Sequence, residues 1–244
     1  MIAAQTRLDV IANNLANIDT TGFKADGVTF AEACEREMCA DGGLGASLGT
    51  VGSGPKETSQ FTDFTQGADK NTGNPLDVAI SSAQGAFAVD VTQSDGTTQT
   101  YYTRSGSFSL DSSRQLVTKE GYPVLDDTER PIVVPQGTVS ISQDGTVSVA
   151  DKAIAKIGVF SGEFVKAGRG LFTLAADTTG QPGTPTAMTG STLKTETVEA
   201  SNVNPMQSMV ELITLNRSYE LAQKAIQQQD GSTQQLIQSL QSTS

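Results

Sequence analysis

Histidine and tryptophan are absent from the 244 residues, and cysteine occurs only as Cys34 and Cys39. Losing histidine removes the commonest general base and the commonest metal ligand. Two thiols do not complete a zinc site, which takes four ligands. On a helix they would point about 140° apart, so they are expected to be incidental thiols in a polar loop or helix end. Positive charge is also scarce: 16 Lys and Arg stand against 27 Asp and Glu, a net charge of −11. That balance argues against a nucleic-acid partner, which needs a basic surface, and against an anionic membrane surface. No apolar run is long enough to span a bilayer. No basic segment leads into a continuous apolar one, since Asn13, Asn14 and Asn17 interrupt the only stretch of that kind. If such a chain leaves the cytoplasm, it does so by a route that uses no cleaved signal. No cofactor, metal, catalytic residue or small-molecule substrate is expected.

What is present begins with a seam. Met1, Ala4, Leu8, Ile11, Leu15 and Ile18 follow one another at spacings of three and four, the pattern of a helix that packs on another helix. Asp19-Thr20-Thr21-Gly22 ends it with turn formers. A lone helix of this length is marginal in water, so it needs a partner. The partner is expected at the other end of the chain. Asn204-Pro205 is a good N-cap followed by the residue favoured at the first helical position. Beyond it Leu212, Tyr219, Ile226, Thr233 and Leu240 are seven apart, with Leu215, Ala222 and Leu236 three residues on. Seven glutamines, Gln227, Gln228, Gln229, Gln234, Gln235, Gln238 and Gln241, spread amides over most faces of this helix. Uncharged polar faces beside a weak seam suit packing among many copies. An ordinary intramolecular pair with a solvated outer face is the alternative.

Between the helices the period changes. Phe30–Met38 could form a short second helix, and Ala40–Gly54 is a Gly- and Ser-rich stretch that reads as a flexible loop. Residues 55–75 are polar, with Phe61 and Phe64 as isolated anchors. From Leu76 apolar residues alternate in short runs: 76–80, 87–91, 100–104, 107–110, 115–117, 122–125, 132–134, 139–141, 146–149 and 157–160, mostly separated by Gly, Asp or Pro. Ser94-Asp95-Gly96 reads as a hairpin turn. Such a series predicts an all-β sandwich or barrel-like domain; Gly168–Thr192 reads as a second loose stretch. The fold class expected is mainly β with terminal α-helices. The central β domain, residues 76–199, is inserted between an N- and a C-terminal helix that pair as an antiparallel coiled coil. Residues 1–30 and 200–244 form the terminal helical assembly domain, and 31–75 form a flexible connecting segment. On this division residues 76–192 should fold alone.

These residues also resemble a family. Ala12-Asn-Asn-Leu-Ala-Asn17 followed by Thr21-Gly-Phe-Lys24 is similar to the N-terminal signature of the bacterial flagellar axial proteins: rod, hook and related basal-body proteins. Ser201-Asn-Val-Asn204 leading to Met209-Val-Glu-Leu-Ile213, with Arg217, Tyr219 and Glu220, resembles their C-terminal signature. Leu76-Asp-Val-Ala-Ile80 and Tyr102-Thr-Arg-Ser-Gly-Ser-Phe108 resemble the start of their central β domain. The modest length argues against a hook-type subunit. Tyr122–Leu125, Pro131–Pro135 and Asn204-Pro205 look most like the proximal rod type, with the distal rod type second.

The resemblance implies a structural subunit of the basal-body rod, located in the periplasm-spanning part of the flagellum. Its partners would be copies of itself, other axial proteins and the type III export apparatus, with no insertion into the membrane. The implied assembly seam is Leu8, Ile11, Leu15, Ile18, Leu212, Leu215, Tyr219, Ile226, Leu236 and Leu240. The family-motif residues are Asn13, Asn14, Leu15, Asn17, Gly22, Phe23, Ser201, Asn202 and Asn204. The family usually has a short further stretch before the position of Met1, so a late start or a truncation is also implied.

Two other classes compete. Asp77, Asp90, Asp95, Asp126 and Asp127 could supply an acidic pair or cation site, although Asp126-Asp127, like Asp144-Gly145, sits where turns favour aspartate and no nucleophile–base set accompanies them. A monomeric adhesin or secreted binding module would use the β domain but leave both seams without a purpose.

Overall fold

A computed structural model describes residues 2–32, 36–39, 47–51, 55–93, 96–150, 152–175, 183–188, 190 and 192–241. The chain divides into two compact units, one of residues 1–16, 26–61 and 204–244, the other of residues 17–25 and 62–203.

The first unit holds both long helices, α1 (Ile2–Ala16) and α2 (Pro205–Gln241), with strands β1 (Asp26–Glu32), β2 (Arg36–Cys39), β3 (Ser47–Val51) and β4 (Pro55–Thr62). α1 lies against α2 and against β1. The cap expected at Asn204 is present: its Oδ1 accepts from Gln207 N at 3.3 Å, and Pro205 is the first helical residue. β1 pairs with β4 and β2 with β3. Strands thus occupy 26–32, 36–39, 47–51 and 55–62, in the region where the sequence suggested a short helix and a loop. The polar Gly/Ser composition hides the pairing, because a two-stranded ribbon takes its order from backbone bonds and shows no apolar period. Thr29 Oγ1 reaches Ser59 O at 3.2 Å across β1 and β4. Gly27 lies under the Phe61 ring, which a Cβ there would meet at 2.4 Å. Met1 and Cys34 lie outside the described residues, as does the side chain of Cys39.

The second unit is all β. Its strands are β5 (Asp69–Asn71), β6 (Val78–Ile80), β7 (Gly85–Thr92), β8 (Thr98–Thr103), β9 (Phe108–Leu110), β10 (Leu116–Thr118), β11 (Val139–Ile141), β12 (Thr146–Val149), β13 (Lys152–Lys156), β14 (Val159–Ser161), β15 (Phe164–Gly168), β16 (Leu171–Leu174), β17 (Thr186–Ala187), β18 (Leu193–Thr195) and β19 (Thr197–Glu199). Six of them form one sheet in the order β15-β16-β8-β7-β14-β17. A three-stranded sheet β11-β12-β13 and the pairs β9-β10, β6-β18 and β5-β19 complete it. β7 and β8 are a hairpin in register from Phe87↔Thr103 to Thr92↔Thr98; Ser94 and Asp95 of its turn lie outside the described residues.

The central strand β7 explains why this sheet is covered on both faces. Phe87 and Val89 point into the main core with Val78, Ile80, Phe108, Leu116 and Ile157. Ala86 and Ala88, alternating with them, face a second cluster of Tyr102, Leu125, Phe160 and Phe172. The small alanines leave room for rings there. Phe64, expected to be an isolated anchor, packs 5.2 Å from Phe172 in that cluster. β15 and β16 carry no clear strand period, because Lys166, Gly168 and Gly170 break the apolar alternation. Residues 17–25 and 200–203 fall with the β unit and not with the helices, a boundary that periodicity does not mark.

Candidate functional site

Two places bring together the residues that the sequence points to. One is the helix pair. Ile11 is buried, and Leu8, Leu15, Leu212, Leu215 and Tyr219 are half-buried. Ile18 is half-buried but lies past the end of α1, in the turn where Thr20 N donates to Asn17 O at 3.2 Å. Ile226 is 46 % exposed, and the side chains of Leu236 and Leu240 lie outside the described residues. The mismatch has a length behind it. At about 1.5 Å per residue, α1 spans about 22 Å and α2 about 55 Å, so α1 covers only part of α2. Every residue from Glu220 through Gln235 is exposed.

A second apolar stripe lies outside the predicted seam. Met206, Met209, Val210 and Ile213 follow the i, i+3, i+4, i+7 rule of one helix face, and they are 72 %, 48 %, 61 % and 53 % exposed. At 100° per residue this stripe is centred about 140° around α2 from Leu212, Leu215 and Tyr219. Its spacing is present in the sequence, but the longer seven-residue repeat on the other face masks it.

Asn14 is buried and exchanges two hydrogen bonds with the backbone of Asp26, Nδ2 to O at 2.8 Å and N to Oδ1 at 2.9 Å. Asn13 is exposed and Asn17 half-buried; Asn17 Oδ1 accepts from Thr20 Oγ1 at 3.3 Å. Ser201 Oγ accepts from Val203 N at 3.3 Å.

The other place lies in the β unit, where the quoted motifs converge on one buried ion cluster. Lys24, Arg104 and Glu199 have side chains 0–1 % exposed. Lys24 Nζ donates to Glu199 Oε1 and to Thr65 O, both at 2.6 Å. Arg104 donates to Glu199 Oε2 through Nε at 3.0 Å and Nη2 at 2.8 Å. Its Nη1 is held by the carbonyls of Ser82, Ala83 and Gly85. Gly67 N adds a bond of 2.9 Å to Glu199 Oε1. One carboxylate therefore serves two cations, and main-chain oxygens solvate the excess charge. Burial pulls the Lys24 ammonium below the ordinary lysine value; Glu199 pulls against this and Arg104 adds to it.

Around the cluster the chain is threaded tightly. Gly22 has φ +68°, and a Cβ there would sit 2.3 Å from the Arg104 carbonyl carbon, so only glycine fits. Gly22 N donates to Glu199 O at 2.8 Å, and Thr21 Oγ1 lies 2.8 Å from Ser105 Oγ. Phe23 is buried under Lys166 Nζ, 4.1 Å from the ring centroid. Asn202 Oδ1 accepts from Ala25 N at 2.8 Å, and its Nδ2 donates to Asp63 O at 2.8 Å. Lys24, Arg104 and Glu199 do not stand out as a set in the sequence, because nothing local shows that charges 80 and 95 positions apart share one buried site.

The aspartates that could have supplied an acidic site do other work. Asp126 Oδ1 accepts from Thr128 N, Thr128 Oγ1 and Arg130 N at 2.7–2.9 Å. Burial raises its carboxyl, but those bonds outweigh it and hold it below the usual aspartate value. Asp144 is lowered by Thr146 in the same way. Asp77 is buried and accepts from Thr72, Asn74 and Ser107. Asp90 accepts from Thr100 at 3.3 Å, Asp127 lies exposed in the neighbouring turn, and Asp95 lies outside the described residues. Among the described residues no three acidic or sulfur side chains group as metal ligands, and no helix is long and apolar enough to cross a membrane.

Three family descriptions match along the chain: "Flagella basal body rod protein" at residues 1–24, "Flagellar hook protein FlgE/F/G D1 domain" at 82–149 and "Flagellar basal body rod FlgEFG protein C-terminal" at 194–239. The last covers both faces of α2. The chain is 34 % identical to the flagellar basal-body rod protein FlgG of Bacillus subtilis (strain 168), over 96 % of this chain and 93 % of that protein. It is 32 % identical to the rod protein FlgF of Mesorhizobium japonicum, over 100 % of this chain and 95 % of that protein. Relatives under both names match at similar identity, so the likeness is to the rod proteins as a group.

Proposed function

The chain belongs to the flagellar basal-body rod protein family, and on that premise we propose that it is a structural subunit of the rod, polymerising helically with copies of itself and with other axial proteins through its terminal helices. The observation that carries this reading is the two-faced α2. One face meets α1, while Met206, Met209, Val210 and Ile213 leave a second apolar stripe in water on the same helix. An exposed stripe of that kind marks a protein–protein contact. Neighbouring subunits would cover it and the overhanging end of α2 as the helices order in the filament.

In this reading α1 and α2 pair as an antiparallel coiled coil through Leu8, Ile11, Leu15, Leu212, Leu215 and Tyr219, and Ile226, Leu236 and Leu240 pack on other subunits. The helices and their flanks form the assembly domain. Delivery is by the flagellar type III export apparatus, and the subunit resides in the periplasm-spanning rod. The resemblance at Tyr122–Leu125 and Pro131–Pro135 supports a position at the proximal end.

The test is genetic and structural together. Met209→Asp with Ile213→Asp should abolish motility and leave basal bodies without a complete rod, while the purified variant keeps the β unit's near-UV signal. Motile cells carrying both changes overturn the reading. Cryo-microscopy of purified basal bodies then assigns the position along the rod.

A further inference from the structure

We propose that residues 17–25 are a detachable strap, and that Lys24 is the pin that seats it in a socket formed by Arg104, Glu199 and Asn202, in a step separate from the folding of the strands. This inference is independent of the rod role. It starts from how the strap is held. Residues 17–25 join no sheet. Their backbone is tied to the rest of the unit by scattered bonds and not by a ladder: Gly22 N to Glu199 O, Asn202 N to Phe23 O, Lys166 Nζ to Lys24 O, Asp63 N to Ala25 O and Ala25 N to Asn202 Oδ1. Segments with few ladder bonds open at lower cost than strands inside a sheet.

Charge decides what remains when the strap leaves. With Lys24 seated, two cations share one carboxylate. With Lys24 withdrawn, Arg104 and Glu199 remain as a neutral pair joined by two hydrogen bonds, and Gly67 N stays on Oε1. Arg104 Nη1 keeps its three carbonyls. The charged groups of the socket therefore keep partners when it is empty, while Glu199 O and Asn202 Oδ1 give up Gly22 N and Ala25 N; the ammonium regains its hydration in water, a return favoured by the cost that burial places on its charge. Removing Glu199 is different in kind: it leaves two buried cations without an anion, the costly way to break a buried cluster.

Hydrogen exchange on the full-length protein tests this. In Lys24→Met, the amides of Gly22 and Ala25 should exchange roughly ten- to a hundredfold faster, while those of Val124 and Leu125, which bond Leu116 O and Ala88 O inside the β unit, keep their protection. Gly22→Ala, which forces a Cβ against the Arg104 backbone without touching the charges, should release the same two amides. Glu199→Gln should expose all four. The proposal is overturned if Lys24→Met or Gly22→Ala lowers protection at Val124 and Leu125 as much as at Gly22 and Ala25, or leaves all four unchanged.

Discussion

Asn14 holds the backbone of Asp26 through both halves of its amide, donating from Nδ2 to the carbonyl at 2.8 Å and accepting at Oδ1 from the N–H at 2.9 Å. A side chain of α1 thereby caps the first residue of β1. Asn14→Ala should cost about 1–3 kcal/mol, since two partly buried backbone groups lose their partner. Asn14→Asp should cost more at neutral pH, because it turns a carboxylate oxygen toward the Asp26 carbonyl. Chemical denaturation followed by far-ultraviolet circular dichroism ranks the two. Equal stability of wild type and Asn14→Asp would refute the capping role.

Glycines divide by what stands beside them. A Cβ on Gly106 would lie 1.7 Å from Val78 O, a backbone atom with nowhere to go. Gly106→Ala should therefore destabilise the β unit by about 3 kcal/mol or more, in line with severe overpacking. Gly231 lies inside α2 with nothing within 4 Å, so Gly231→Ala should stabilise that helix by about 1 kcal/mol. Opposite shifts in melting temperature for the two substitutions are the expected outcome.

The strand pairing changes which fragment should fold. A piece covering residues 76–192, the choice suggested by periodicity, loses Leu193–Thr195 from beside Val78–Ile80. It also leaves Arg104 buried without Glu199, a loss of about 3–5 kcal/mol. Residues 62–203 keep both. The longer fragment should give a cooperative unfolding transition and dispersed amide resonances, and the shorter one should not. A folded 76–192 fragment would show that neither β18 nor Glu199 is needed.

Alkaline pH offers another probe. Burial, with Glu129 adding to it, pushes the Tyr102 phenol from the ordinary 10.0 up to about 12. The folded state then holds this proton more tightly than the unfolded chain. Its contribution is present below pH 10 and is lost as pH rises toward 12, a change of about 2–3 kcal/mol. Lys24 works in the opposite sense: its value is lowered, so its contribution improves as pH rises toward the ordinary 10.5. Tyr102→Phe should flatten the alkaline fall in stability, and an unchanged profile between pH 9 and 12 would count against the Tyr102 shift.

Elements with a strong local period are legible in the residues themselves. Asn204-Pro205 announces α2, and Val78–Ile80, Phe87–Val91 and Thr146–Val149 announce strands. The polar ribbons β1–β4 are not legible in this way, since their order comes from backbone pairing, β2 with the nearby β3 and β1 with β4 across the pair Thr29 and Ser59, 30 positions apart. Ile18 looks like a seam residue because periodicity alone does not show that α1 stops at Ala16. The ion cluster is hidden most completely. Lys24 and Glu199 are 175 positions apart, and each alone resembles an ordinary solvated charge. The motifs around them are visible as pieces, and only the fold shows that they meet.

The separation of those partners has a kinetic side. Lys24 and Arg104 are both made long before Glu199, which follows Arg104 by 95 positions. Contacts of such range close slowly, because the loop entropy is spent before the contact returns anything. A chain still emerging from the ribosome, before Glu199 is made, lacks the carboxylate that the two cations share. Completion of the cluster therefore waits for the last fifth of the sequence.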